Sequence, residues 1–190
     1  MKHRFVTLLA LAPMMVLASC SAGSLTYAQF HEEATKVPQH SYTGFEFAID
    51  QRDGNNVSAF EFRGSGALEG GNWNVTEVKH YVAAESKWVV VADTDDDYAT
   101  AIAASMSIMV TINTTAADVP DQDYRTYSIT DLGFSIKDTE VNEGNNRTTV
   151  IEVGFNNYGL LNEYFQHDHE GLTAEGTVIS KTRFTVAYTK

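Results

Sequence analysis

The chain has 190 residues, 25 acidic against 13 basic, for a formal net charge of −12. That is one domain's length, and its acidity argues against nucleic acid or a bare anionic bilayer as partner, because both would repel it. With 43% hydrophobic and 11% aromatic residues the sequence holds enough apolar side chains for a core, and 20% charged residues with three prolines argue against a disordered tail.

In chain order, Lys2 and Arg4 open a short basic leader, and Phe5 to Ala18 is apolar except for Thr7 and Pro13. This is the pattern of a signal peptide. A permanent span needs about 20 apolar residues, more than the run offers. The run ends in Leu17-Ala18-Ser19-Cys20, and Cys20 is the single cysteine of the sequence. These four residues resemble the lipobox of bacterial lipoproteins. The resemblance implies that the Cys20 thiol receives diacylglycerol, that the bond before it is cleaved, and that the freed amine is acylated as well. It divides the chain into a lipoprotein signal peptide at 1–19, a lipidated tether at 20–24 and a single domain at 25–190. A lone thiol outside the cell has no partner for an internal disulfide, so lipidation also gives it a use. The alternative is an ordinary secretory signal with a chance cysteine. Removal of Lys2 and Arg4 would leave 25 acidic against 11 basic residues, a net of −14. Two or three acyl chains hold a soluble body on a bilayer, and the four residues from Ser21 to Ser24 keep it within about 14 Å. The expected location is therefore the extracytoplasmic face of a bacterial cell membrane.

Thr26-Tyr27-Ala28-Gln29 has the spacing of a capping box and predicts a helix start. Tyr27, Phe30, Ala34 and Val37 form a stripe toward a core, Pro38 ends it, and His31, Glu32, Glu33 and Lys36 make the solvated face. The period then becomes two: Phe45, Phe47 and Ile49 point one way while Glu46, Ala48 and Asp50 point the other, a half-buried strand. Asp53-Gly54-Asn55-Asn56 signals a turn, and Phe60 and Phe62 alternate with Glu61 and Arg63, which predicts an antiparallel hairpin closed by the glycines from Gly64 to Gly71. Val75, Val78 and Val82 fit a helical stripe, and Trp88 to Ala92 suits a buried strand, so the middle reads as helix then strand. Asp93, Asp95, Asp96 and Asp97 precede Tyr98, Ile102, Met106 and Met109 at helical spacing. Carboxylates favour the free amides and dipole of a helix start, which predicts a helix from about Asp96 to Met109.

From Tyr124 onward the pattern is a strand meander. Ile129, Phe134 and Ile136 precede the turn Glu143-Gly144-Asn145-Asn146. Ile151, Val153 and Phe155 then alternate before Asn156-Asn157-Tyr158-Gly159, followed by Leu161, Glu163 and Phe165. The last strand sets Val178, Phe184, Val186 and Tyr188 against Ile179, Lys181, Arg183 and Ala187. The stretch from Gly44 to Phe62 has an echo in Gly133 to Val153, which a duplication or the shared steric needs of hairpin turns would both produce.

The order of helix, strand pair, helices and meander resembles small lipoproteins of Gram-positive bacteria with a curved antiparallel sheet backed by helices. Phe155-Asn156-Asn157-Tyr158-Gly159-Leu160-Leu161 looks like a recurring meander corner in that group. The layout is similar to the LolA/LppX-type half-barrel carriers, which hold acyl chains between sheet and helices. The likeness spans most of 25–190 as a pattern and transfers no ligand residue. The expected fold is α+β: a curved antiparallel sheet of about six strands with helices packed on one face.

A concave face of such a sheet would carry Phe45, Phe47, Phe60, Phe62, Ile151, Val153, Phe155, Phe184, Val186 and Tyr188. Loosely roofed they would take an apolar ligand, and tightly roofed they are core. Asp93, Asp95 and Asp97 offer hard oxygen ligands at alternate positions, as calcium loops do, without the glycine and bidentate glutamate of an EF-hand, and helix capping explains them equally. His167 and His169 share a strand face and, with Glu163, have the donor types of a transition-metal site; a polar turn before Gly171 is the other reading. No Gly-x-Ser-x-Gly elbow, His-Glu-x-x-His or phosphate-binding glycine loop occurs. The expectation is a non-enzymatic lipoprotein without a cofactor, tethered through Cys20, that binds an apolar or lipid ligand. The alternative is an envelope adhesion or assembly protein working through its acidic surface, with calcium as an accessory.

Overall fold

The computed structural model describes residues 25–70, 72–108 and 124–190. Cys20, the tether and Met109 lie outside the described residues. Helix α1 (Tyr27–Ala34) starts as its sequence requires: the Thr26 side chain accepts from the Gln29 N–H while the Gln29 side chain accepts from the Thr26 N–H. It ends at Ala34, one turn before Val37. Helix α2 (Asp96–Ile108) has Asp96 and Asp97 in its first turn, and the Asp95 carboxylate accepts from the Asp97 N–H at 2.9 Å.

The strands are β1 (Gly44–Asp53), β2 (Ser58–Glu69), β3 (Asn72–Val82), β4 (Lys87–Val90), β5 (Arg125–Thr130), β6 (Gly133–Asn142), β7 (Arg147–Asn156), β8 (Leu161–Glu170) and β9 (Val178–Thr189). They form a single nine-stranded antiparallel sheet in the order β4-β3-β2-β1-β9-β8-β7-β6-β5. Two meanders, β1 to β4 and β5 to β9, are thus joined side by side where β1 pairs with β9 from Gly44↔Thr189 to Asp53↔Ser180. The expected α+β class with about six strands is overturned: the described residues make nine strands and two helices of 8 and 13 residues, so the fold is mostly β.

The error has a physical source in β3, which was expected to be a helix. Its register against β2 slips between Ser65 and Gly66, so Gly66 faces Val75 while Ser65 faces Glu77. This bulge takes up Thr76, and the residues that share the helix-covered face run Trp73, Val75, Val78. One extra residue turns a spacing of two into three, which imitates a helical stripe. The expected closure of the hairpin at Gly64 is also wrong, since β2 runs through Gly64 and Gly66 to Glu69. Those two glycines make room for aromatic rings from β1. An added Cβ at Gly64 would lie 2.3 Å from the Phe47 ring, and one at Gly66 would lie 2.6 Å from the Phe45 ring.

The two echoing hairpins differ at their turns. The Asp53 carboxylate accepts from the N–H groups of Asn55 and Val57, whereas Glu143–Asn145 is a 3-10 turn capped by the Asn142 side chain. The turn after β3 matches the latter more closely, with Ala83–Glu85 as a 3-10 turn and Ser86 at φ 51° where Asn146 has φ 48°. Both are left-handed positions, favourable for Asn and costly for Ser.

Candidate functional site

Alternation along the strands places Phe45, Phe47 and Ile49 of β1 opposite Tyr188, Val186 and Phe184 of β9, with Tyr164 of β8 opposite Phe184 and Val153 of β7 opposite Tyr164. Both helices cover this face. Phe30 of α1 is fully buried, its ring 4.9 Å from that of Tyr127 on β5 and 5.9 Å from that of Phe134 on β6. On the other flank α2 buries Ala101, and His80 of β3 lies 3.6 Å from the Asp97 carboxylate in its first turn. Phe45, Phe47, Phe62, Phe155, Phe184 and Val186 are each 7% exposed or less. Phe60, Ile151, Val153 and Tyr188 are half-buried at its margins. Among the described residues the face brings the ten expected apolar side chains together, six of them buried and four half-buried.

Toward the other end of the strands the same face turns polar. Gln51 of β1 faces Thr182 of β9, which faces Gln166 of β8. Next to them the Asp168 carboxylate accepts from Ser180 Oγ at 2.6 Å, Thr149 Oγ1 at 2.8 Å and Gln166 Nε2 at 3.4 Å. The Tyr164 hydroxyl donates to Gln166 Oε1 at 2.8 Å. Burial opposes ionisation of Asp168, but the hydrogen bonds from Ser180, Thr149 and Gln166, aided by the charge of Arg147, hold its carboxyl below the usual range. Burial, followed by the Asp168 charge, raises the Tyr164 hydroxyl. Burial raises Tyr188 further, and its hydroxyl donates to the Leu161 carbonyl at 2.6 Å. At the β5 edge the Arg125 guanidinium grips Asp138 of β6 with two hydrogen bonds, one of 2.6 Å, and this pairing raises the arginine further above its ordinary value.

The change from apolar to polar is centred on β1, β9 and β8, since Phe60 lies opposite Gln51 and Ile151 opposite Gln166 in the same row, and it is completed at Asp168, Thr149 and Ser180. Sequence reasoning found the apolar half of the face and missed Tyr127, Leu161, Tyr164 and the Asp168 network. For the network the signal was present, since Tyr164, Gln166 and Asp168 alternate along one strand.

The expected metal ligands do not assemble. Among the described residues no group of three or more His, Cys, Asp or Glu is placed to hold a metal ion. Asp93, Asp95 and Asp97 are exposed, and Asp95 is used by the helix start. The His167 and His169 rings stand 6.1 Å apart, but His169 Nδ1 is 3.0 Å from the Gly176 carbonyl and Glu163 accepts from Arg183 at 2.9 Å. Burial, then Lys181 and His169, lower the His167 imidazole. No described helix is long and apolar enough to cross a membrane.

No family model matches the chain, and no curated protein matches it. Among solved structures 17 chains match. One is a LolA superfamily protein from Nitrosomonas europaea, 7% identical, with the alignment covering 86% of this chain and 92% of that one at a TM-score of 0.22. At this identity and TM-score the likeness assigns neither fold nor function.

Proposed function

We propose that this chain is a lipoprotein held on the extracytoplasmic face of a bacterial membrane through Cys20, and that it binds an amphiphilic lipid on the helix-covered face of its sheet without catalysing a reaction. One observation carries the reading: a single sheet face changes on β1, β9 and β8 from aromatic and aliphatic to hydroxyl, amide and carboxylate, with short helices packed at its β3 and β5 flanks. An apolar tail matches the half built by Phe155, Phe184 and Val186, and a polar head matches the half built by Gln166, Asp168 and Thr182. Because the apolar half is packed, a ligand enters by displacing the cover. Helix α1 suits that role, since eight residues form no stable helix alone and depend on the burial of Phe30 and Ala34.

The test is saturable binding of a fluorescent long-chain fatty acid to the soluble Cys20→Ser protein, with Val153→Asp placing a charge on the apolar half. One-to-one binding that Val153→Asp abolishes supports the reading, and absence of binding to either protein contradicts it. Retention of the unaltered chain in the membrane fraction, with release of Cys20→Ser, tests the anchor separately.

A further inference from the structure

The opposite face of the sheet carries a trough. Three grooves of about 310, 310 and 270 Å³ open on it. The first two share Glu46 and Arg63, and the second and third share Ala48 and Thr185, so they join end to end. Register explains the low floor: Lys79, Arg63, Ala48, Thr185 and Glu163 face one another in turn across β3, β2, β1, β9 and β8. The short side chains of Ala48 and Thr185 thus lie between long ones. Each end has an aromatic ring under an arginine. The Arg63 guanidinium is 4.2 Å from the centre of the Trp88 ring, and that of Arg183 is 5.1 Å from the centre of the Phe165 ring. The grooves are lined from Trp88 on β4 to Arg183 and Thr185 on β9, four strand spacings or about 19 Å, and Phe165 of β8 lies one strand beyond.

The chemistry of the trough selects among extended ligands. Its floor strands are interior to the sheet, with backbone groups engaged by neighbours on both sides, so no further strand can add there. Recognition falls to side chains. Trp88 and Phe165 are half-buried with one face against a guanidinium, so each pair presents the remaining apolar part of the ring beside N–H donors, complementary to the C–H groups and hydroxyl edges of a pyranose. Between the platforms the carboxylates of Glu46, Glu77 and Asp50 accept hydroxyl hydrogens, and Lys79 adds donors. With Glu163, which pairs with Arg183 at 2.9 Å, and Arg52, which pairs with Asp50 at 2.7 Å, four carboxylates face four cations along this surface, and Lys79 pairs with Glu77 at 2.6 Å, in a chain whose formal net charge is −12. A polyanion meets the carboxylates, a polycation meets the cations, and a neutral polar chain meets no such opposition.

We infer that this trough binds an extended neutral oligosaccharide, as a second site independent of the helix-covered face. The probe is a β-linked N-acetylglucosamine hexamer titrated calorimetrically into the soluble Cys20→Ser protein, beside the corresponding dimer, a polyphosphate and a neutral glycine-serine peptide of similar length. The hexamer spans both platforms and is expected to bind at least about tenfold more tightly than the dimer, which reaches one. Trp88→Ala is expected to weaken the hexamer about tenfold. Ala48→Arg fills the floor of an exposed face and is expected to abolish binding while leaving the thermal melt unchanged, which keeps the test valid if Trp88→Ala folds poorly. Equal affinity for hexamer and dimer, tighter binding of the polyphosphate or the peptide, or full binding by Ala48→Arg would each overturn the proposal. Fatty acid binding is indifferent to all these results, so the two sites succeed or fail separately.

Discussion

Replacing Phe30 by alanine tests whether α1 is a removable cover. Phe30 is fully buried and its ring contacts those of Tyr127 and Phe134 at 4.9 and 5.9 Å. Truncating a buried phenylalanine costs about 3–5 kcal/mol. Helix α1 has eight residues and only Ala34 besides Phe30 fully buried, so that loss removes most of what docks it. The predicted result is local. Amide hydrogen exchange should speed up in 27–34 and at the β5 edge, while β1, β8 and β9 keep their protection. If the covered state must open before a lipid enters, apparent affinity scales with the open fraction, so destabilising the cover by about 3 kcal/mol should tighten fatty acid binding by up to about a hundredfold. The reasoning is refuted if exchange accelerates equally across the sheet, or if the variant binds the fatty acid no better than the parent.

Three further outcomes follow from the described contacts. Gly64→Ala forces a Cβ to 2.3 Å from the Phe47 ring and 2.7 Å from the Glu77 carbonyl, and should lower unfolding stability by about 1–3 kcal/mol in a denaturant titration. Asp138→Ala leaves the Arg125 guanidinium, whose side chain is 12% exposed, without its carboxylate, and should cost about 3 kcal/mol by the same measurement. Stability should fall in two acid steps. The lowered His167 favours its neutral form in the native state, so stability is lost as pH falls from 6.5 toward its folded value, and His167→Gln should remove that step. The lowered Asp168 contributes stability above its ordinary 3.8 that is lost as pH falls through its folded value, a step Asp168→Asn should flatten.

Local chemistry was legible wherever one residue type dictates one geometry. Thr26 and Gln29 announce their own cap, Asp53-Gly54 announces its turn, and the alternation of Phe45, Phe47 and Ile49 survives intact as a buried row. What stayed hidden depends on partners distant in sequence. The bulge at Thr76 is a property of the β2–β3 register, and without that register Val75, Val78 and Val82 look helical. Gly64 and Gly66 look like turn residues until rings from β1 are seen over them. The pairing of β1 with β9, which joins the two meanders, links residues more than a hundred positions apart and leaves no local mark. The apolar half of the candidate site was readable because hydrophobic alternation is local, whereas the Asp168 network needs Thr149 and Ser180 brought from two other strands.

The most direct trial of lipid binding is native mass spectrometry of the tagged chain, extracted in mild detergent from the membrane of the organism that makes it. Bound amphiphile should add a discrete mass beyond that of the covalent chain, present once per protein and lost on Val153→Asp. A spectrum showing only the covalent chain, unchanged by that substitution, would contradict the account.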